Sequence, residues 1–89
     1  MPFSFMVYFV YISKSTVTDR FYIGQTADLS NRLKEHNAGK VFSTKPFRPW
    51  KIHHFEEFTT RTLAIKREHY LKSPTGWKEL NRLKHINDR

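Results

Sequence analysis

Two runs of aromatic and β-branched residues, separated by a polar segment, constrain the fold of this chain more than any other feature of its sequence. The first run, VYFVYI, covers residues 7–12, and the second, RFYIGQT, covers residues 20–26. Such residues favour strands, and the polar residues 13–19 can close a hairpin between them. We therefore predict two antiparallel strands, at residues 6–12 and 20–26, which place two tyrosines on neighbouring strands.

A short helix is predicted directly after the hairpin. Asp28 is a favourable N-cap for residues 29–37, and Gly39 is the residue type that most often follows the end of a helix. Prolines then interrupt residues 40–49, which we expect to form a basic surface loop.

The C-terminal half of the chain predicts one more strand and two more helices. Imperfect alternation favours a strand over residues 50–58. Thr59 or Thr60 can cap a helix that runs to about Lys72, and apolar residues at helical spacing predict a third helix over residues 77–86. The predicted class is α+β, with a small three-stranded antiparallel sheet flanked by helices in the order β-β-α-β-α-α.

Size and charge limit the classes of function. With 89 residues the chain has material for one domain, residues 1–89, and its net charge of +8 predicts a strongly positive surface. The basic residues are spread along the chain, which favours a charged face that binds nucleic acid over a disordered tail. The alternative is a basic surface that serves solubility alone.

Compartment and partners are constrained by what the sequence lacks. Because the chain has no cysteine, disulfides and thiolate metal sites are excluded. The apolar residues 3–12 lack the charged flank and cleavage site of a signal peptide, and they are too few to span a membrane. We therefore expect a cytoplasmic protein with no membrane partner.

Arg32 and His36 lie four residues apart in the first predicted helix, beside the apolar stripe of Leu29 and Leu33. This flank is close to the sheet, which is an unfavourable place for two polar groups unless an anion occupies the gap. The alternative is a solvated arginine and an ordinary histidine, neutral or facing solvent.

Glu68 lies at the edge of the apolar side of the second predicted helix, between Ala64 and Ile65 on the helical wheel. A carboxylate in this position must be paired or bound to a metal, because burial of a bare charge is costly. Two pairings are open, one with Lys72 four residues later and one with Arg67.

The strand tyrosines and two adjacent histidines complete the polar groups of interest. Tyr11 and Tyr22 are residues that strands commonly pack, so each has a purely structural explanation. Strand alternation places Tyr22 and Gly24 on one face, where a bare backbone allows close approach. His53 and His54 should face opposite sides of their strand, which argues against a shared metal site.

Five residues, taken in order, resemble the motif pattern of the GIY-YIG nuclease superfamily. They are Tyr11 of Phe-Val-Tyr, Tyr22 of Tyr-Ile-Gly, Arg32, His36 and Glu68. The resemblance is strongest to small stand-alone bacterial members, which are similar to the N-terminal nuclease domain of the excision-repair subunit UvrC. It covers about residues 6–76, and it implies hydrolysis of phosphodiester bonds with the help of a divalent metal ion.

The resemblance also implies a role for each of these residues. Glu68 would hold one Mg²⁺ or Mn²⁺ ion, a hard cation that prefers oxygen ligands. Arg32 would neutralise charge on the scissile phosphate, and Tyr22 would hydrogen-bond a phosphate oxygen or the nucleophile. Tyr11 would position or deprotonate the attacking water, while His36 is a second candidate for the base because imidazole titrates near neutrality.

Other residues are assigned to the rim of the site. By the resemblance, Gly24 would keep the site open, and Gln25 stands where some family members carry lysine. Lys40, Lys45 and Arg48 lie in the loop after the first predicted helix. We predict on charge and exposure alone that these three contact the backbone of a nucleic acid.

The chain departs from the family pattern at two places. Its first motif is Phe-Val-Tyr instead of Gly-Ile-Tyr, and the asparagine that follows the metal-binding glutamate in many members has only a distant counterpart in Asn81. The predicted function is a metal-dependent endonuclease in repair or recombination, with DNA favoured over RNA. Two alternatives stay open, a nucleic-acid-binding module of the same fold with little or no activity, and a basic subunit that docks an acidic protein.

Overall fold

The structure, a computed structural model, describes residues 6–86 and forms an antiparallel sheet with helices on both faces. Its elements are β1 (Tyr8–Ser15), β2 (Phe21–Thr26), α1 (Leu29–Asn37), β3 (Trp50–Phe58), α2 (Arg61–Lys72) and α3 (Trp77–Lys84). The strands lie in the order β2-β1-β3. The predicted class and element order are confirmed. No helix within residues 6–86 has the length and apolar character needed to span a bilayer.

The first strand is longer than predicted. It continues past residue 12 to Ser15, which pairs with Trp50 of β3. The hydroxyl oxygen of Ser15 then accepts the backbone N–H groups of Val17 and Thr18, at 3.1 and 3.0 Å, and so begins the turn. The end of β1 therefore depends on a partner strand that is distant in the chain.

Both predicted ends of α1 are confirmed, because they depend on local chemistry. The side chain of Asp28 accepts the backbone N–H of Asn31 at 3.0 Å. At the other end Gly39 has φ 79°, and the next residue, Lys40, donates its backbone N–H to the carbonyl of Glu35 at 3.0 Å. A residue with positive φ followed by this bond closes a helix, and glycine adopts it without steric cost.

The remaining boundaries shift by a few residues. Thr60 caps α2 by accepting the backbone N–H of Leu63 at 3.2 Å. The predicted loop at residues 40–49 contains a short 3₁₀ turn, Lys45–Phe47. The third helix ends at Lys84, slightly before its predicted end.

The apolar core lies on one face of the sheet, under α2 and α3. Each layer contributes side chains that are almost fully buried, and the partly buried Tyr8, Phe21, Phe58 and Leu80 pack against them. The buried members are Val10 and Ile12 of β1, Ile23 of β2, Ala64 and Leu71 of α2, and Leu83 of α3. Because side chains alternate along a strand, Tyr11 points to the opposite face.

A β-bulge places both strand histidines on the face of α2 and α3. His53 is an extra residue of β3 at the point where the register with β1 shifts, between Ile12 and Ser13. His53 Nε2 lies 3.0 Å from the carbonyl oxygen of Leu83 in α3, and His54 hydrogen-bonds a glutamate on the same face. The prediction that the two histidines face opposite sides is wrong, because a bulge interrupts the alternation.

Arg67 joins three elements and does not neutralise Glu68, contrary to one of the expected pairings. Its Nε and Nη2 atoms donate to the two carboxylate oxygens of Glu56 in β3, at 2.7 and 2.9 Å. Nη2 also donates to Glu79 of α3 at 3.1 Å. This fork geometry holds the pKa of Glu56 below its usual range and fixes α2 against its neighbours.

Candidate active site

Tyr11 and Gly24 lie opposite each other on β1 and β2 and form the floor of the candidate site. A Cβ atom added to Gly24 would lie 2.5 Å from the phenol oxygen of Tyr11. This separation is shorter than real Cβ contacts, so any residue other than glycine would have to displace the phenol. The expected close approach to the bare backbone is made by the chain's own phenol.

His36 is the buried residue of α1, where we expected Leu29 and Leu33 to form the core stripe. The two leucines are only half-buried, whereas His36 is 0% exposed. Its Nε2 atom lies 2.9 Å from the Tyr11 phenol oxygen, and its Nδ1 atom lies 2.8 Å from Thr44 Oγ1. The predicted core stripe of α1 is wrong, because the face of the sheet that α1 covers is polar and aromatic.

Tyr22 covers the Tyr11–His36 pair from β2. Its ring centroid lies 4.8 Å from that of His36 and 6.2 Å from that of Tyr11. Tyr22 also packs beside the buried Trp50, with ring centroids 6.5 Å apart. The contacts of Tyr22 with His36 and Trp50 are edge-to-face, and such contacts fix the orientation of aromatic rings in a packed layer.

Burial keeps the Tyr11–His36 pair uncharged at neutral pH. Desolvation raises the pKa of Tyr11 to about 12, although the neighbouring guanidinium of Arg32 acts in the opposite direction. The pKa of the His36 imidazole is lowered, first by burial and then by the positive charge of Arg32. The phenol therefore keeps its proton, and the imidazole keeps a free lone pair.

Arg32 lies beside Tyr11 at the outer edge of this pair. Its Nη1 atom donates to Glu35 Oε1 at 3.1 Å, and about a third of each side chain is exposed. An ion pair at this exposure is weak, so an incoming anion can replace the carboxylate at small cost.

Glu68 approaches this region from α2 and forms an ion pair with Lys72. This is one of the two pairings that the sequence left open for Glu68. Its Oε2 atom accepts from Lys72 Nζ at 2.5 Å, and its side chain is 16% exposed. The same ammonium lies 5.9 Å from the centroid of the Tyr22 ring, and the charge of Glu68 acts to raise the pKa of Tyr11. Glu68 therefore acts electrostatically on Tyr11, and the cation that it holds lies near the Tyr22 ring.

Glu68 offers a metal ion a single carboxylate. No group of three His, Cys, Asp or Glu side chains within residues 6–86 is arranged to hold a metal. The Glu68 carboxylate does hold a cation, the Lys72 ammonium. This donor set fits Mg²⁺ or Mn²⁺, which can bind through a single carboxylate and keep several waters, and it does not fit a protein-enclosed zinc site.

One expected rim residue, Gln25, and the distant counterpart of the family's asparagine, Asn81, lie elsewhere. Gln25 follows Gly24 on β2, so it points to the other face, where its Oε1 atom accepts from Arg61 Nη1 of α2 at 2.9 Å. Asn81 is exposed on α3 and lines a groove beside the β1–β2 hairpin with Lys14 and Phe21. Gln25 points away from the site because side chains alternate along β2. Asn81 lies away from the site because α3 packs beside the hairpin.

The three cations assigned to nucleic-acid contacts are exposed in the loop between α1 and β3. Lys40, Lys45 and Arg48 flank Thr44, whose hydroxyl contacts His36. The loop that carries them is therefore attached to the candidate site through Thr44.

Sequence reasoning missed the residues that hold this loop in place. Trp50 Nε1 donates to the carbonyl of Thr44 at 2.9 Å, and the backbone N–H of Trp50 donates to Asn37 Oδ1 at 2.6 Å. Thr44 is buried although it lies in a polar loop. A single buried threonine in a loop has no sequence periodicity that would reveal it. The one available signal was Trp50 directly after Pro49, which indicates that this end of the loop is anchored.

Comparison with known proteins supports the same assignment of fold. The family model described as the GIY-YIG catalytic domain matches residues 7–81. A UPF0213 protein from Haloquadratum walsbyi is 40% identical over 73 residues, which are 81% of each chain. A UPF0213 protein from Staphylococcus aureus is 35% identical over 78 residues, which are 86% of this chain and 94% of the relative.

A solved structure agrees with the architecture. The solution NMR structure of the UPF0213 protein BH0048 from Bacillus halodurans superimposes with a TM-score of 0.52 at 28% identity. The match covers 89% of this chain and 86% of that one. The similarity therefore extends over nearly the whole described fold, including the elements that form the candidate site.

Proposed function

This chain belongs to the GIY-YIG family, and on that premise we propose that it is a metal-dependent endonuclease that hydrolyses phosphodiester bonds of DNA. One observation carries the proposal. The phenol of Tyr11 is hydrogen-bonded to the buried His36, and Arg32 and Glu68 both act on its ionisation. A phenol hydrogen-bonded to an imidazole thus lies within the electrostatic range of a guanidinium and a carboxylate.

The Tyr11–His36 pair supplies a route for the proton of the attacking water. A phenol with a pKa of about 12 is a poor base by itself, since it is protonated at neutral pH. If Tyr11 passes its proton to His36 Nε2 while it takes one from water, no phenolate accumulates. Both ring nitrogens of His36 already have partners, Tyr11 at Nε2 and Thr44 at Nδ1, so the imidazole acts through the phenol. This scheme assigns the base to the pair.

Arg32 and Tyr22 are assigned to the phosphate. The guanidinium of Arg32 can exchange Glu35 for a phosphodiester oxygen, because the two groups compete for the same donors. Tyr22 lies beside the pair with a half-buried side chain and can hydrogen-bond the same phosphate. Both contacts would grow stronger as negative charge develops on the phosphorus oxygens.

Glu68 is assigned to the divalent ion, for which Mg²⁺ and Mn²⁺ are the candidates. When bound, such an ion supplies charge neutralisation at the phosphodiester. The Lys72 ammonium competes with an ion for this carboxylate, so Lys72→Met should tighten the binding of Mn²⁺ measured by electron paramagnetic resonance. Glu68→Gln should abolish that binding. Unchanged Mn²⁺ affinity in both variants would remove Glu68 from the metal site.

A second candidate function is a nucleic-acid-binding module of this fold with little or no activity. Two observations favour it, because Tyr11 is only 1% exposed and Lys72 occupies the carboxylate of Glu68. In this case the loop cations bind the backbone and no bond is cut. Binding without metal-dependent cleavage would establish this function.

Cleavage assays separate the two functions. The protein is incubated with branched, nicked and single-stranded DNA and with Mg²⁺ or Mn²⁺, beside Glu68→Gln and Arg32→Ala. The matched control is Glu57→Gln, which removes the same charge from an exposed position on β3. We expect cleavage by the wild type and by the control alone, with DNA affinity retained in Glu68→Gln. Equal cleavage by all four proteins would indicate a contaminating nuclease and would remove the support for the enzyme.

Salt titration tests the predicted nucleic-acid surface. On duplex DNA, the slope of log affinity against log salt changes by about 0.9 for each phosphate that the protein no longer neutralises. Replacement of Lys40, Lys45 and Arg48 by glutamine should therefore flatten the slope. The control removes three exposed charges from α2 and α3 and should leave the slope unchanged. Its positions are Lys66, Lys78 and Arg82.

A further inference from the structure

Thr44 provides the second hydrogen-bond partner of His36. Its Oγ1 atom lies 2.8 Å from His36 Nδ1, and the hydroxyl also lies 3.2 Å from the carbonyl oxygen of Val41. Thr44 is 1% exposed, so this hydroxyl is shielded from bulk water. A chain of hydrogen bonds therefore runs from the loop through the imidazole to the phenol of Tyr11.

This chain of hydrogen bonds has one direction of donation in which every group has a partner. The neighbouring Arg32 can only donate, so the phenol proton of Tyr11 needs another acceptor, which is His36 Nε2 at 2.9 Å. A neutral imidazole with Nε2 as acceptor carries its proton on Nδ1 and donates it to Thr44 Oγ1. The threonine hydroxyl then donates to the carbonyl of Val41. In the reverse direction the phenol proton would have no acceptor among these described partners.

The position of the hydroxyl is fixed by its own backbone. The N–H of Thr44 donates to the Val41 carbonyl at 3.1 Å, and its carbonyl accepts from Trp50 Nε1 at 2.9 Å. Phe47 also donates its N–H to the Thr44 carbonyl at 3.1 Å. A threonine held at both backbone groups presents its hydroxyl in one place.

We propose that Thr44 is a positioning residue that fixes the Nδ1–H tautomer of His36, so that Nε2 stays free to receive the proton of Tyr11. The catalytic meaning of this role rests on the proposed endonuclease function. The tautomer itself does not, because it can be measured in the resting protein without DNA or metal.

The first test is the tautomer of His36, read from nitrogen and proton chemical shifts of the imidazole in the ¹⁵N-labelled protein, with His36→Gln used to assign the signals. We expect the Nδ1–H form in the wild type and in Thr44→Ser. In Thr44→Val, which keeps the shape but removes the hydroxyl, the Nε2–H form should gain population. An Nε2–H wild type, or the same tautomer in Thr44→Val, would overturn the proposal.

A matched control separates this role from general support of the loop. Ser15 is also buried, and its hydroxyl donates to the carbonyl of Phe47 in the same loop at 2.7 Å. Ser15→Ala should lower stability but leave the His36 tautomer unchanged. If Ser15→Ala shifts the tautomer as much as Thr44→Val does, the effect belongs to the loop and the assignment to Thr44 fails.

The second test is the rate of cleavage. A general acid–base step is worth roughly 10²- to 10⁴-fold, so Thr44→Val should lower kcat by roughly 10²-fold with little change in KM, and Thr44→Ser should restore it. A shifted tautomer with wild-type kcat would overturn the role in catalysis. If the wild type cuts no DNA but its tautomer depends on Thr44, the proposed function fails while the positioning role stands.

Discussion

The two faces of the sheet are stabilised by different interactions. The face under α2 and α3 is apolar, with Ile12 and Leu71 among side chains that are almost fully buried. The face under α1 is equally well buried, but its contents are Tyr11, His36 and Thr44, joined by hydrogen bonds of 2.8 and 2.9 Å. Tyr11 and Ile12 are adjacent in sequence, so the boundary between the faces passes through a single strand.

This difference determines what each face can tolerate. Apolar burial is non-directional and roughly proportional to area, so volume-conserving replacements cost little. A buried polar layer is stable only if each donor and acceptor has a partner, and removal of one group leaves another unsatisfied. Substitutions under α2 and α3 should therefore lower stability, and substitutions under α1 should lower activity first.

Adjacent residues of β1 give the largest contrast. Tyr11→Phe removes the proton path and should lower the cleavage rate by about 10²- to 10⁴-fold. Ile12→Val should cost about 0.5–1.5 kcal/mol of unfolding free energy and leave the rate unchanged. Rate assays and urea titrations of both variants measure the two effects. A wild-type rate in Tyr11→Phe would show that the α1 face is only structural.

Truncation of leucines tests where the core lies. Leu71 is 1% exposed under the sheet, so Leu71→Ala should lower the unfolding free energy by about 2–5 kcal/mol. Leu29 and Leu33 are half-buried on α1, and their replacement by alanine should each cost about 1 kcal/mol. Urea denaturation compares the three. A larger loss for either α1 leucine would place part of the core under α1.

The two glycines near α1 should differ in their effect on activity. Gly24→Ala forces its Cβ against the Tyr11 phenol, so it should cost about 1–3 kcal/mol and also slow cleavage. Gly39→Ala introduces a side chain at φ 79°, which should cost roughly 1–2 kcal/mol with kcat unchanged. Equal cleavage rates in both variants would mean that the position of the phenol is not critical.

Acidification should affect the faces in different pH ranges. The pKa of His36 is lowered from 6.5 on folding, so the unfolded state binds the proton first, and stability falls as pH drops below about 6.5. The slope is at most about 1.4 kcal/mol per pH unit. On the other face Arg67 lowers the pKa of Glu56 below 4.5, so its contribution is present above about 4.5 and is lost only at lower pH.

Unfolding free energies measured between pH 7 and pH 4 test this order. His36→Gln should remove the pH dependence of the unfolding free energy between about pH 6.5 and the lowered pKa of folded His36. Arg67→Met should reduce the loss of unfolding free energy below about pH 4.5. If His36→Gln retains the slope near pH 6, another group titrates there, and the neutral state assigned to the buried pair is wrong.

Parts of the fold were predictable because they depend on neighbours in sequence. Asp28 and Gly39 mark the ends of α1 through bonds to residues within a few positions, and the hairpin follows from two strand-forming runs. The end of β1 was missed since Ser15 continues the strand only where Trp50 pairs with it. The bulge at His53 likewise belongs to the pairing of two strands and has no local signal.

The sequence by itself determined the class of fold, the order of its elements and the motif that relates the chain to its family, because strand runs, caps and motif order are properties of short segments. The tertiary structure alone decided that His36 is buried between Tyr11 and Thr44, and that Glu68 pairs with Lys72 while Arg67 turns to β3. The partners of His36 and of Arg67 come from other elements of the fold. The direction of a hydrogen bond and the burial of a charge depend on which groups the tertiary structure brings together.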